Sequence, residues 1–314
     1  MNASARIVVM LAALAVVAPP AQAAFPGRNG AIGFAEWASS GDSEQPFVEH
    51  SRLVATLLGS DKQRILVECR LSDGVPSGGD CSSTSYRSPS YSPSGKTLVF
   101  DAGERLGAIG AGGAGLYLLS AVTADDGDPA FAPDGKRIVF AGMNDHGTTD
   151  LYVRSVDSGP ARLIVQDAGH PAWSSRDEIA FERNGNVYVA RPNGSHRRFV
   201  SSGVAPDWSP DGGRLALVRP SPRNVFYAPS GGVYVVGGKG RGLHRIGRYD
   251  DASSPVWSPD GRWLAFERFD QGVVAKRLGV RGPAREVALS QVSGESGSHV
   301  AFEPTWRPRP FTPR

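Results

Sequence analysis

Six positions stand directly before a proline in one recurring phrase, and they hold Ser88, Asp128, His170, Ala205, Ser254 and Glu303. If these are drawn together, one histidine and two carboxylates suit a cation such as calcium, or a polar ligand. Residues of these types also satisfy the amides of neighbouring turns, a reading that stays open beside the first. The remaining histidines, His50, His146, His196, His244 and His299, make no His-x-x-x-His pair, so spacing gives no metal motif. A serine hydrolase needs a Gly-x-Ser-x-Gly elbow. The nearest pentapeptide, Gly294-Glu295-Ser296-Gly297-Ser298, ends in serine. No catalytic residue and no cofactor is expected, apart from a cation at the candidate mouth.

Other charged groups carry less. Asp101, Glu182 and Glu267, with Glu36 one place later in its strand, are assigned no role, because strand-end acids face water or neighbouring amides. Asp134, Asp211 and Asp260 are read as turn formers. Basic clusters at 196–198, 241–245 and 276–281 are short and dispersed, which fits solvated hairpin tips. The net charge of +3 is small for 314 residues and does not point to nucleic acid. Cys69 and Cys81 bracket a Ser/Asp/Gly/Pro-rich loop. One disulfide is expected in an exported chain, with two free thiols or a metal pair as alternatives.

The elements that must position these residues are read from the phrase itself. It runs "SPSYSPSGKTLVF" to Phe100, "DPAFAPDGKRIVF" to Phe140, "HPAWSSRDEIAF" to Phe181, "APDWSPDGGRLAL" to Leu217 and "SPVWSPDGRWLAF" to Phe266. Its front half returns alone as "EPTWRPRP" from Glu303, and its back half stands alone first, as "NGAIGF" to Phe34. The opening proline is tolerated at the start of a strand. Pro-Asp-Gly is hairpin chemistry, with φ fixed by Pro and positive φ accepted by Gly. The next strand is apolar on both faces, as at Ile138, Val139 and Phe140, and must be covered on both. Two more short strands follow in each unit, for example within 150–166 and 185–201.

Successive opening prolines lie 40, 42, 35, 49 and 49 residues apart, near the 40–45 residues of a four-stranded propeller blade. The expected fold is therefore all-β: a six-bladed β-propeller of four-stranded antiparallel blades. The ring closes when the C-terminal strand at 303–307 completes the first blade, whose other strands lie near 32–37, 53–57 and 64–68. If the proline-bearing strand is innermost, the residue before each proline lies at one channel mouth. The small Ser90, Ala130 and Ala172, two places on, then fit the narrow axis.

Residues 1–23 read as a secretory signal peptide, with Arg6, an apolar run from Ile7 to Val17 and an Ala21-Gln22-Ala23 cleavage site. An uncleaved anchor is the alternative, disfavoured by the shortness of the run. Residues 24–314 are expected to form one propeller domain, without a transmembrane span, monomeric, and periplasmic or extracellular.

The "WSPDG" phrases at 208–212 and 257–261, with "PDGKRIVF" at 133–140, resemble the repeats of TolB-type propellers. Related repeats occur in the propellers of prolyl-oligopeptidase-like enzymes. The stretch "AFPGRNGAIGF" at 24–34 is similar to the mature start of exported TolB-like proteins. The family's envelope adaptor carries an N-terminal α/β domain that is expected to be missing here. The resemblance therefore implies a non-catalytic propeller of the envelope and transfers no individual functional residue. The expected function is a scaffold binding an envelope or extracellular protein or glycan. The alternative is a hydrolase or lyase in the channel mouth, using Asp128, His170 and Glu303.

Overall fold

The computed structural model of the chain describes residues 25–40, 48–60, 62–72, 75–77, 86–157, 159–221, 230–268, 271–288, 291–293 and 297–309. The candidate signal peptide, Cys81 and residues 294–296 of the serine pentapeptide lie outside the described residues.

Each Ser/Ala-Pro-x-Gly segment folds as the sequence chemistry requires. The glycine amide closes a turn on the carbonyl three residues earlier: Gly95 to Ser92 at 2.8 Å, Gly135 to Ala132 at 3.0 Å, Gly212 to Ser209 at 2.7 Å and Gly261 to Ser258 at 2.8 Å. These glycines have φ between +63° and +68°, a conformation costly for side chains with a Cβ. The copy that lacks glycine, Ser174-Ser175-Arg176-Asp177, puts Asp177 there at φ 61°, as short polar side chains allow. Asp134, Asp211 and Asp260 accept bonds from amides two residues on, those of Lys136, Gly213 and Arg262, at 2.8–3.1 Å. They are turn formers, as expected.

These hairpins build an all-β propeller. Among the described residues the strands join into five antiparallel sheets. Three are four-stranded meanders, opening with Tyr86–Tyr91, Asp126–Phe131 and Gly169–Trp173. A fourth, six-stranded, runs Gln291–Ser293, Gly297–Arg309, Arg28–Ser40, Val48–Thr56, Gln63–Ser72 and Val75–Ser77. The fifth is eight-stranded and holds two successive meanders, opening with Val204–Trp208 and Ala252–Trp257. This corrects the expectation of separate four-stranded sheets throughout. The two meanders are fused by one residue pair, Gly231 with Ala252, where the first residue of one strand meets the first residue of the next unit. The first sheet is longer because Arg28–Ser40 and Gly297–Arg309 each run for 13 residues.

The apolar residues of the phrase lie between the sheets. Phe34, Phe100, Phe140, Phe181, Leu217 and Phe266 are fully buried, as are Trp173, Trp208 and Trp257. Each tryptophan shares its core with the preceding sheet: Trp173 with Val139, Leu151 and Val153, and Trp257 with Ala216, Val233 and Val235. Burying such side chains contributes on the order of 2–3 kcal/mol each. Arg137 and Arg214 lie over the Trp173 and Trp257 rings at 5.0 and 4.7 Å. No helix among the described residues is long and apolar enough to cross a membrane.

Candidate channel-mouth site

The six proline-bearing strands touch one another in sequence: Tyr86–Tyr91 with Asp126–Phe131, then Gly169–Trp173, Val204–Trp208, Ala252–Trp257 and Gly297–Arg309. The last of these touches Tyr86–Tyr91 again. Each strand also breaks register with its hairpin partner at the same place. At that break Ser88, Asp128, His170, Ala205, Ser254 and Glu303 all have φ between +48° and +56°. A residue before proline favours extended backbone, so a positive φ at all six is imposed by the fold. The bulge turns each residue toward the neighbouring strand.

The side chains form a chain of contacts from one sheet to the next. The Glu303 carboxylate accepts the Ser88 backbone N–H, with Ser88 Oγ 3.4 Å from the same oxygen. Ser88 Oγ donates to Asp128 Oδ1 at 3.2 Å. Asp128 Oδ2 is 3.9 Å from His170 Nε2, and His170 Nδ1 is 2.8 Å from Glu182 Oε2. Glu303, Ser88 and His170 are buried, whereas the Asp128 side chain keeps 20% of its surface open. Ala205 contributes no polar group. Ser254 is buried, and its Oγ has no hydrogen-bond partner among the described residues.

Burial dominates the electrostatics. It pushes the Glu303 carboxyl well above the usual carboxylate range, with Asp128 and Asp101 adding to the rise and the Ser88 amide and Arg87 opposing it. Burial raises Asp101 well above its usual value too, reinforced by Asp128 and opposed by Arg87 and the Gly103 amide. Asp128 is raised less, because His170, Ser88 and Arg87 favour its charge. The three acids titrate as one coupled group.

The sequence therefore brings together Ser88, Asp128, His170 and Glu303, and places Ser254 at the equivalent backbone position. Two members it did not single out are Asp101 and Glu182. Glu267 sits behind Ser253, whose Oγ donates to it at 3.1 Å, and burial pushes its carboxyl up to about 7. Glu36 lies elsewhere, beside Arg52 at 3.6 Å. One signal was available: these acids recur at the end of the strand that pairs with the mouth strand. Asp207, fully buried two places after Ala205, was also missed. Its Oδ2 accepts the Trp257 N–H at 2.6 Å, tying two meanders together. Lys276, read as a hairpin-tip base, is buried and caps the Val280 and Gly282 carbonyls at 2.6 and 2.7 Å.

Chemically, the mouth can accept hydrogen bonds from a cationic or donor-rich group. Among the described residues no three or more His, Cys, Asp or Glu gather as a metal site. Cys69 is buried in Gln63–Ser72, and its expected partner Cys81 falls outside the described residues. Two cavities among the described residues lie away from these side chains, one at 122–167 of about 660 Å³ and one of about 620 Å³ between the turns at 210–214 and 259–262.

Fold and site together define a β-propeller whose proline-bearing strands are linked by a run of acidic and polar side chains. Within that class the chain is similar to TolB-type propellers. It is 31% identical over 100 residues to a curated "Protein TolB homolog" of Chlorobium luteolum, covering 29% of this chain. The matched region spans only 23% of that relative's length. The crystal structure of TolB from Acinetobacter baumannii superposes with a TM-score of 0.63 at 14% identity, over 91% of this chain and 68% of that one. A putative TolB from Agrobacterium tumefaciens gives 0.59 at 15% identity, over 89% and 99%. A chain of a nidogen/laminin complex gives 0.59 at 9% identity, over 81% and 94%. At these identities the structural likenesses speak for the fold alone. No protein-family model matches the chain.

Proposed function

We propose that this chain is an exported propeller that binds a protein or glycan of the cell envelope or its exterior without transforming it. The carrying observation is the run Glu303, Ser88, Asp128, His170 and Glu182, which links the Gly297–Arg309 strand to three successive sheets. Its carboxylates are desolvated and compete for few positive groups, so a partner's cationic or donor-rich group entering the mouth gains more there than in water. The binding ring is read as six units, the first completed by Gly297–Arg309. The cycle of touching inner strands supports this, as does the single pair joining the two fused meanders. Export is read from the leader, and the cleaved protein should begin at Ala24 when its N-terminus is sequenced.

Envelope fractions passed over wild-type protein and over the Asp128→Asn/Glu303→Gln variant test the binding reading. A partner retained by the wild type and lost by the variant supports it. The convergence of Asp128 and His170 at 3.9 Å favours a second reading, a hydrolase or lyase at the same mouth. Turnover of a screened ester or glycan that the same substitutions abolish would establish that reading and overturn the first.

A further inference from the structure

The larger cavity lies away from the channel mouth, between the loop at 122–124 and the hairpin at 143–150. Its volume of about 660 Å³ is within the range of small-molecule sites. Both rims are fixed by side chains. Asp126, 1% exposed, accepts the Val122 N–H at 2.6 Å, the Thr123 N–H at 2.9 Å and the Thr123 hydroxyl at 2.6 Å. On the other side Asn144 Oδ1 accepts the His146 and Thr148 amides at 3.0 and 3.1 Å. Val122, Met143 and Tyr152 supply apolar wall, and Tyr152 is stacked on the buried Phe140 at 5.6 Å.

The lining carries Asp145, Asp150 and Asp167 and neither lysine nor arginine, with Arg183 reaching Asp167 from outside it at 3.7 Å. Asp150 is the informative one. It is 6% exposed and spends Oδ1 on Asn144 Nδ2 and the Asp167 amide, both at 2.9 Å. Its Oδ2 has no hydrogen bond among the described residues, and Asp150 lines the cavity. Two donors on Oδ1 hold the carboxylate in place, so a donor entering the cavity meets an oriented oxygen that is free to accept. The Tyr152 phenol is pushed up by burial and then by Asp150, Asp126 and Asp145, so the acids act on one space. These acids do not form a group able to hold a metal ion, and the apolar wall suits a body larger than an ion.

We propose that this cavity binds an organic cation, an amine or guanidinium on an apolar body, with Asp150 Oδ2 as the anchor and Met143, Val122 and Tyr152 around the body. A free amine and a basic peptide side chain share this chemistry. Calorimetric titration of the whole protein with phenethylamine, and with the capped dipeptide of phenylalanine and arginine, separates the two sources. Saturable binding of at least one is expected, at least tenfold tighter than N-acetylphenethylamine, which has the same shape and no charge. The tighter cation identifies the source. Asp150→Asn should weaken binding tenfold or more. Met143→Lys should do the same, since Met143 is 41% exposed and the lysine can bring its own cation to the cavity without disturbing the core. The proposal is overturned by equal affinity for the neutral amide, by no saturable binding of either cation, or by unchanged affinity in both variants.

Discussion

Glu267 shows how a buried carboxyl makes this fold sensitive to pH. Its carboxyl is raised to about 7, from 4.5, by burial that the Ser253 hydroxyl only partly offsets. In the unfolded chain the group loses its proton near 4.5, while the folded protein keeps it up to about 7. The stabilisation is therefore fully present below about 4.5 and is lost as pH rises through 7. Asp101, Asp128 and Glu303 are shifted in the same direction and add with the same sign. The protein should unfold at lower urea concentration at pH 8 than at pH 5. Glu267→Gln should regain about 1 kcal/mol at pH 8 and only a small part of that at pH 5, a figure kept small because water reaches part of the group. An equal effect at both pH values would assign the stabilisation to packing instead. At this scale the mouth residues were legible because each precedes a proline. Asp101 and Glu182 were not, because a strand-end position does not reveal which neighbouring sheet a carboxylate faces.

Strands and turns were the most legible elements, since Pro, Asp and Gly specify the hairpins locally. The fusion of two meanders was not legible. It depends on where the strand Gly231–Gly237 resumes after an insertion, and no local propensity fixes that point. Contact between a turn and the adjacent sheet was also hidden, and Gly194 makes it measurable. Gly194 sits at φ +79°, and a Cβ there would be 2.0 Å from the Ile164 carbonyl oxygen in the preceding sheet. Gly185, in a hairpin of the same sheet, has φ +69° and nothing within 4 Å of its hypothetical Cβ. Gly185→Ala should cost about 1 kcal/mol from backbone strain alone. Gly194→Ala should cost about 3 kcal/mol, because two packed backbones must also part. Similar urea midpoints for the two variants would mean that the sheets do not press on one another at this turn.

A whole-molecule consequence follows from the pairing of the two ends. Gly297–Arg309 is hydrogen-bonded to Arg28–Ser40 from Arg28 opposite Arg309 to Ser39 opposite Ser298. Trp306, 4% exposed, packs with Ile32 from the start of the chain and with Val256, Ala265 and Ala275 from the sheet before it. Arg307 Nε reaches the Gly95 carbonyl at 2.7 Å, in the first turn of the next sheet. The strand therefore packs against the sheet on one side and bonds to the sheet on the other as well as to its own. In an open array of repeats, removing a terminal strand would fray one end and leave the rest standing. In the closed ring proposed above it opens two sheet-to-sheet contacts and exposes the edge of Arg28–Ser40. Deleting residues 303–314 should therefore lower the melting temperature of the whole protein by 10 °C or more and broaden the transition. Trp306→Ala keeps the strand and should cost about 3–5 kcal/mol, the usual range for emptying a tryptophan site. Circular dichroism at one wavelength and tryptophan fluorescence should report the same midpoint for the substituted protein. If the truncated chain melts at the wild-type temperature, the ends are not holding the ring together, and its stability is local to each sheet.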